Sequence, residues 1–367
     1  MKRTVLNIAA ALAAATMLAS CGSGDPHGSV DSTARGSVRP LSELTPLDDP
    51  KSYEGPSTAV LERSKIVPVD DAPSQKLPAT VVSNDRRGDL TVIVKDTDRV
   101  LALDMSGTLA ATVWGLGFGD RLVGRDVSTA FPGTETLPLV TVDGHSINAE
   151  SVLSLRPSVV ITDGAIGPRD VVEQLRDADI TVVFIYSDPS FAGAQQMARR
   201  VADVFGAPAA GEALATRIAA DLAKAGDEIS RFVPAEADRR LSILFLYLRG
   251  SSGVYYLFGR ESGVSDLVDG LGGIDVAAKL GWTGMRPLTD EAMVAANPDL
   301  ILVMTGGIES VGGVDGLLKE KQAIALTAAG KHRRVVDMAD GDVLSFGPRS
   351  GDVLRALARA IYAPQGS

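Results

Sequence analysis

Thiols and imidazoles are scarce in this chain. Its 367 residues hold one cysteine and three histidines, and aromatic side chains make up only 5%. A lone cysteine excludes an internal disulfide framework and any cysteine-rich zinc or iron–sulfur site. With only His27, His145 and His332, there is little from which to build a Ser-His-Asp centre. No G-x-S-x-G elbow, H-E-x-x-H pair or G-x-x-x-x-G-K-[ST] loop occurs, so hydrolase, metalloprotease and P-loop signatures are all missing. Cations are the minority charge: 36 Lys and Arg against 46 Asp and Glu give a net −10, which argues against a nucleic-acid partner. After the first 21 residues there is no uncharged apolar window of about 18 residues, so nothing later reads as a membrane span.

The chain opens with residues of one clear kind. Lys2 and Arg3 precede an apolar stretch from Val5 to Ala19 that only Asn7 and Thr16 interrupt, which is the pattern of an export signal over residues 1–20. Its Leu18-Ala19-Ser20-Cys21 ending resembles the bacterial lipobox, in which the peptide is cut before the cysteine and the thiol receives diacylglycerol. The alternative is a plain secretory peptide with a chance cysteine. The lipobox reading places the protein outside the cell, lipid-anchored to the outer face of the cytoplasmic membrane. Residues 21–80 are rich in Gly, Ser, Asp, Pro and Thr without a sustained period, and this composition predicts a flexible tether, with His27 a solvated bystander.

From Val81 the pattern becomes that of an α/β protein. Apolar runs at Leu90–Asp96, Arg99–Asp104, Ser158–Thr162 and Thr181–Tyr186 alternate with helical segments, which predicts a parallel sheet in a first lobe over 81–190. Ser106 is a candidate cap for the helix running to Gly117. Residues 191–233 read as one long linking helix with a break at Gly206-Ala207-Pro208. A second α/β set follows over 234–367, with strands at Ser242–Leu248, Val254–Gly259, Asp299–Met304 and Arg333–Met338 and a closing helix at Ser350–Tyr362. The lobes echo each other: Asn148-Ala149-Glu150 through Pro157 to Ile161 aligns with Thr289-Asp290-Glu291 through Pro298 to Leu302. Each copy has an acid in the first helical turn, a proline after the helix, then an apolar strand.

Chemistry-bearing residues fall at strand ends. His145, in DGHSIN, lies on the loop leaving the Leu139–Val142 run, and loops at strand carboxyl ends line ligand crevices in such sheets. Tyr247 and Arg249 end the first strand of the second lobe on one face. A phenolate is a hard oxygen donor for ferric iron, and an arginine donating to the phenol oxygen favours the anion. Histidine and tyrosine both serve as haem ligands. Met304 closes the DLILVM strand, where its thioether either packs or offers a weak ligand. Trp282 and Met285, in GWTGMRP, are candidates for an apolar wall, and at most one of Tyr255 and Tyr256 can face a cleft. His332, between Lys331 and Arg333, reads as a solvated basic turn.

Several of these segments resemble the substrate-binding proteins of ATP-binding-cassette importers for cobalamin, siderophores and haem. The resemblance runs from Leu90 to Tyr362 and rests on LALDMSGTLAATVWGLGFGDRLVGR, NAESVLSLRPSVVITDG and LTDEAMVAANPDLILVMTGG. It implies a class III architecture: two Rossmann-like α/β lobes bridged by one long rigid α-helix, the ligand held between them, and no enzymatic activity. His145 with Tyr247-x-Arg249 is similar to the haem-binding lipoproteins of haem importers. FGPRS, at Phe346–Ser350, is similar to the FGPRT at which their last helix begins. This implies ferric haem as the transported ligand, His145 and Tyr247 on its iron, Arg249 on the phenolate and Arg349 on a propionate. A ferric-siderophore or cobalamin carrier is the alternative. The same resemblance implies a monomer that meets a permease and ATPase complex, with Glu150 and Glu291 docking on permease arginines. Carboxylates at helix starts are also favourable there without any partner.

Overall fold

The computed structural model describes residues 38–366 apart from 86–87, 251–252 and 288. The export signal, Cys21 and His27 lie outside the described residues, as does the first part of the 21–80 segment. The first lobe is built on a parallel three-stranded sheet, Val100–Leu103, Val159–Thr162 and Thr181–Phe184, in that spatial order. The first two strands are fully buried, so they read as near-continuous apolar runs, broken only by the terminal Thr162, rather than alternating ones. The Leu90–Asp96 run forms the strand Gly88–Val94, which pairs antiparallel with Ala79–Asp85 in a separate hairpin and not with the parallel sheet.

The second lobe holds a seven-stranded mixed sheet. Ser57–Ala59, Val335–Met338, Leu300–Met304 and Ser242–Arg249 run parallel, and Val254–Phe258 then Met285–Pro287 continue it antiparallel. Ile274–Asp275 pairs with the start of Ser242–Arg249. Along this last strand, parity sorts the side chains. Ile243, Phe245 and Tyr247 join the core under the closing helix, while Leu244, Leu246 and Leu248 join the core on the opposite face.

The linking segment is two helices. Phe191–Val204 packs on the first lobe except at Phe191, which touches both cores and donates its N–H to Asp266 of the second lobe (2.9 Å); the chain turns at Gly206 (φ 60°), and Pro208–Ile229 returns antiparallel along it. The approach is close: a Cβ on Gly211 would lie 2.6 Å from the Ala202 Cβ. The second helix runs from one core into the other. Its 22 residues span about 33 Å, with Leu214 and Ile218 in the first core and Ala225 and Ile229 in the second.

The expected tether is corrected over its described part. Residues 38–80 are a packed strap. Leu41 and Ala59 are buried in the second lobe, Ser57–Ala59 adds an edge strand to its sheet, and Ile66 is buried in the first lobe. Arg334, itself buried, donates to Ser57 Oγ (2.9 Å) and lies 4.6 Å from the centroid of the Tyr53 ring. His332, expected to be solvated, accepts the Gly55 N–H at its carbonyl and places Nδ1 2.9 Å from the Lys51 carbonyl oxygen.

Candidate functional site

His145 sits at the tip of a short hairpin between Thr141–Val142 and Ser146–Ile147. The turn needs positive φ at Asp143 (47°) and Gly144 (86°), which an Asp-Gly pair tolerates. Its imidazole is partly buried, and Nδ1 is enclosed without a hydrogen-bond partner. Burial lowers the His145 pKa, the positive charge of Arg249 lowers it further, and Asp104 opposes them. The ring is therefore held neutral at physiological pH, the form in which a histidine ligates a metal. Arg249 belongs to the other lobe, so its charge reaches His145 from across the space between the lobes.

The second-lobe wall is built around Tyr247. Its ring stacks on Phe258 (centroids 5.5 Å apart, 12° between planes), and Tyr256 is its direct cross-strand partner. The Arg249 guanidinium carbon lies 4.9 Å from the Tyr247 ring centroid. The expected donation from Arg249 to the phenol oxygen is absent. Nη2 pairs with Asp340 Oδ2 at 2.6 Å, and Nη1 donates to the Leu248 carbonyl at 2.9 Å. Met304 shares this face, its sulfur 3.8 Å from Arg249 Nη2. Trp282 does not share it. It packs with the Leu244, Leu246 and Leu248 core, on the opposite side of the sheet from Tyr247, because the turn after Val276–Lys279 returns there. Met285 stands 62% exposed on the outer strand. Tyr255 points to the same core as Trp282 and hydrogen-bonds Glu320, which leaves Tyr256 on the Tyr247 face.

Arg349 is not at a rim. It is 8% exposed, pairs with Asp342 (2.8 Å) and lies 5.6 Å from the centroid of the Phe131 ring of the first lobe. Residues 341–350 cross beneath the two lobes here, so a buried ion pair occupies the position where a surface contact was expected.

Residues 100–340 match the family of periplasmic binding proteins. The chain belongs to the periplasmic binding protein family. A solved heme binding protein, HmuT, is 39% identical and superposes with a TM-score of 0.79, covering 86% of this chain and 99% of that one. Variants of HmuT with a single replaced histidine, tyrosine or arginine have been solved too. The periplasmic heme-binding protein RhuT of Roseiflexus sp. RS-1 is 37% identical, with a TM-score of 0.66 over 73% of this chain and 98% of its own. YvrC of Bacillus subtilis, an ABC transporter substrate-binding lipoprotein, is 27% identical over 285 residues, 77% of this chain and 85% of YvrC. Two α/β lobes bridged by one helix are thus a class III binding-protein fold.

The repeated motif of this fold is built alike in both lobes. Asn148 caps Ala149–Leu155 by accepting the Ser151 N–H, and Thr289 caps Asp290–Ala296 by accepting the Ala292 N–H. Both helices end in a left-handed residue, Arg156 and Asn297, just before the proline. Glu150 and Glu291 are exposed in equivalent first turns.

The sequence did not point to an acidic group under the first lobe's strand ends. Asp104 follows Val100–Leu103, and Asp163 follows Val159–Thr162. Asp104, rather than Ser106, receives the start of Thr108–Leu116: its carboxylate accepts the N–H groups of Thr108 (3.0 Å) and Leu109 (3.1 Å) and the Ser106 hydroxyl (2.8 Å). Asp126 accepts the Asp104 N–H (3.0 Å). Burial, then repulsion from Asp104, pushes Asp126 and Asp163 each up to about 7. A carboxyl whose folded pKa is raised stabilises the fold below its unfolded pKa, and the benefit fades as pH climbs to the folded value. Asp163→Asn keeps an oxygen for the Ala165 N–H (2.9 Å in wild type) while removing the charge. It should raise the thermal midpoint above wild type at pH 8, with the gap narrowing as pH falls below about 7 and closing near pH 4; a gap independent of pH contradicts the assignment. Exposed Met105 and Tyr186, after the first and third strands, and Val142, beside the His145 turn, add apolar surface at the same sheet end.

Proposed function

We propose that this protein is the lipid-anchored haem-binding component of an ABC importer, capturing ferric haem between its lobes and passing it unchanged to a permease. What supports this reading is the Tyr247–Arg249 pair on one lobe and a half-buried His145 on the other, with the Arg249 charge helping to hold His145 neutral. In this reading His145 and Tyr247 take the two axial positions of the iron, and Arg249 supports the phenolate. Met304 and exposed Met105, Val142 and Met285 cover the porphyrin faces and edges. Arg349 acts from beneath by fixing Asp342 and Phe131 rather than by meeting a propionate. Trp282 supports the sheet from behind.

HmuT supports the reading from outside. The tyrosine and arginine replaced in it lie two positions apart, as Tyr247 and Arg249 do, with the replaced histidine well upstream in both chains. Cys21 carries the lipid that holds the protein at the outer face of the cytoplasmic membrane. Glu150 and Glu291, exposed at matching places on two lobes, dock a single binding-protein molecule on permease arginines, with the ATPase on the far side of the membrane.

Titration of the purified protein with haemin tests the proposal. A saturable, shifted Soret band at one or two equivalents is expected. Its absence from a folded protein that instead binds a ferric siderophore or cobalamin would favour the alternative carrier.

A further inference from the structure

Arg249 is held away from the atom it is proposed to assist. Its guanidinium lies over the face of the Tyr247 ring, whereas a phenol oxygen accepts hydrogen bonds near the ring plane. Two groups fix it there: the Leu248 carbonyl at Nη1 and Asp340 Oδ2 at Nη2. Asp340 is itself anchored, since the Gly306 N–H donates to its Oδ1 at 2.8 Å. Two successive glycines make room for the pair. A Cβ on Gly306 would stand 3.0 Å from Asp340 Oδ2, and one on Gly307 would stand 3.1 Å from Arg249 Nη1. The nearby Asp337 is occupied by the hydroxyls of Thr58 (2.8 Å) and Thr305 (2.6 Å), and Asp342 is paired with Arg349. Asp340 is therefore the carboxylate that pairs with Arg249.

From this geometry, and resting on the haem reading above, we infer that Asp340 is a positioning residue that competes with the Tyr247 phenolate for Arg249 and so sets how firmly haem is held. To donate to a phenolate on iron, the guanidinium must slide from the ring face toward the oxygen, which loosens its bond to Asp340. The carboxylate pulls it back. It weakens the support of the iron–phenolate bond by a fixed amount and keeps the cargo releasable. Both partners are about one-third exposed (30% and 38%), so the competition is modest.

The test is haem transfer from the loaded full-length protein to excess apomyoglobin, followed at the Soret band. Asp340→Asn keeps an oxygen for the Gly306 N–H and removes the charge. It should slow transfer about three- to fivefold and move the phenolate-to-iron charge-transfer band to shorter wavelength, because a phenolate that accepts a stronger hydrogen bond gives up its electron less readily. Asp340→Ala should shift both in the same direction. In an Arg249→Ala background both effects should vanish, which a merely structural role for Asp340 would not produce. Transfer as fast as or faster than wild type in Asp340→Asn, or slowing that survives without Arg249, overturns the inference. A wild-type protein that gives no Soret band overturns the haem reading and this inference together, whereas a wild type that binds haem beside an indifferent Asp340→Asn overturns this inference alone.

Discussion

Replacing Tyr247 by phenylalanine is expected to lower the affinity for ferric haem by roughly 100-fold or more, because it removes the anionic oxygen while leaving the ring. The stack on Phe258 and the Arg249 contact over the ring both survive this change, so the fold is retained and the loss reports the oxygen alone. His145→Ala should do less, on the order of tenfold, while altering the spectrum, since a phenolate satisfies ferric iron better than a neutral imidazole does. Haemin titrations of the two variants decide the order. If Tyr247→Phe binds like wild type while His145→Ala does not, the imidazole is the principal ligand and the role assigned to Arg249 falls with the phenolate.

The second large effect concerns stability. Arg355, in the closing helix Ser350–Tyr362, is 6% exposed and meets Glu228 (2.6 Å), Asp221 (3.0 Å) and Asp352 (3.5 Å). Asp221 and Glu228 lie on the bridging helix, so one guanidinium joins the two helices at the centre of the molecule. Arg355→Ala leaves three partly buried carboxylates facing one another without their shared cation. Breaking such a cluster from one side should cost about 3 kcal/mol, and in a folded body of this length the thermal midpoint should fall by about 4 °C. A fall of less than about 1 °C would mean that desolvation already cancels the attraction.

Much of the fold was legible because burial on both faces leaves an unmistakable trace. The runs at Val100–Leu103, Val159–Ile161 and Leu300–Met304 are apolar at every position, and each strand stands within a residue or two of where those runs predict it. Caps are only partly local: Asn148 and Thr289 act on backbone three residues away, whereas the helix expected to start at Ser106 is received by Asp104, four residues before its first turn. Contacts over long separations were not legible. Arg249 and Asp340 lie 91 residues apart, and nothing local to either marks the other. Trp282 was placed on the wrong face because a loop residue has no period to follow; its side is chosen by the strands it packs against. Composition hid the strap, where a few anchors such as Leu41, Ala59 and Ile66 are diluted among polar residues. Its backbone is satisfied instead by distant carbonyls: Leu47 N–H by Tyr362, Gly55 by His332, Val69 by Gly115 and Lys76 by Gly206.

That strap changes the mechanics of the pair of lobes. Among the described residues the polypeptide passes from one lobe to the other between Ala59 and Ile66 and again along Pro208–Ile229, and Phe346 returns briefly to the first lobe's core. A body joined to another at one point can both swing and twist, whereas one joined at two points keeps chiefly rotation about the line through them. Torsion of one lobe against the other would shear the residues at their strand ends past one another, and the double crossing resists that movement while leaving the lobes free to part and meet.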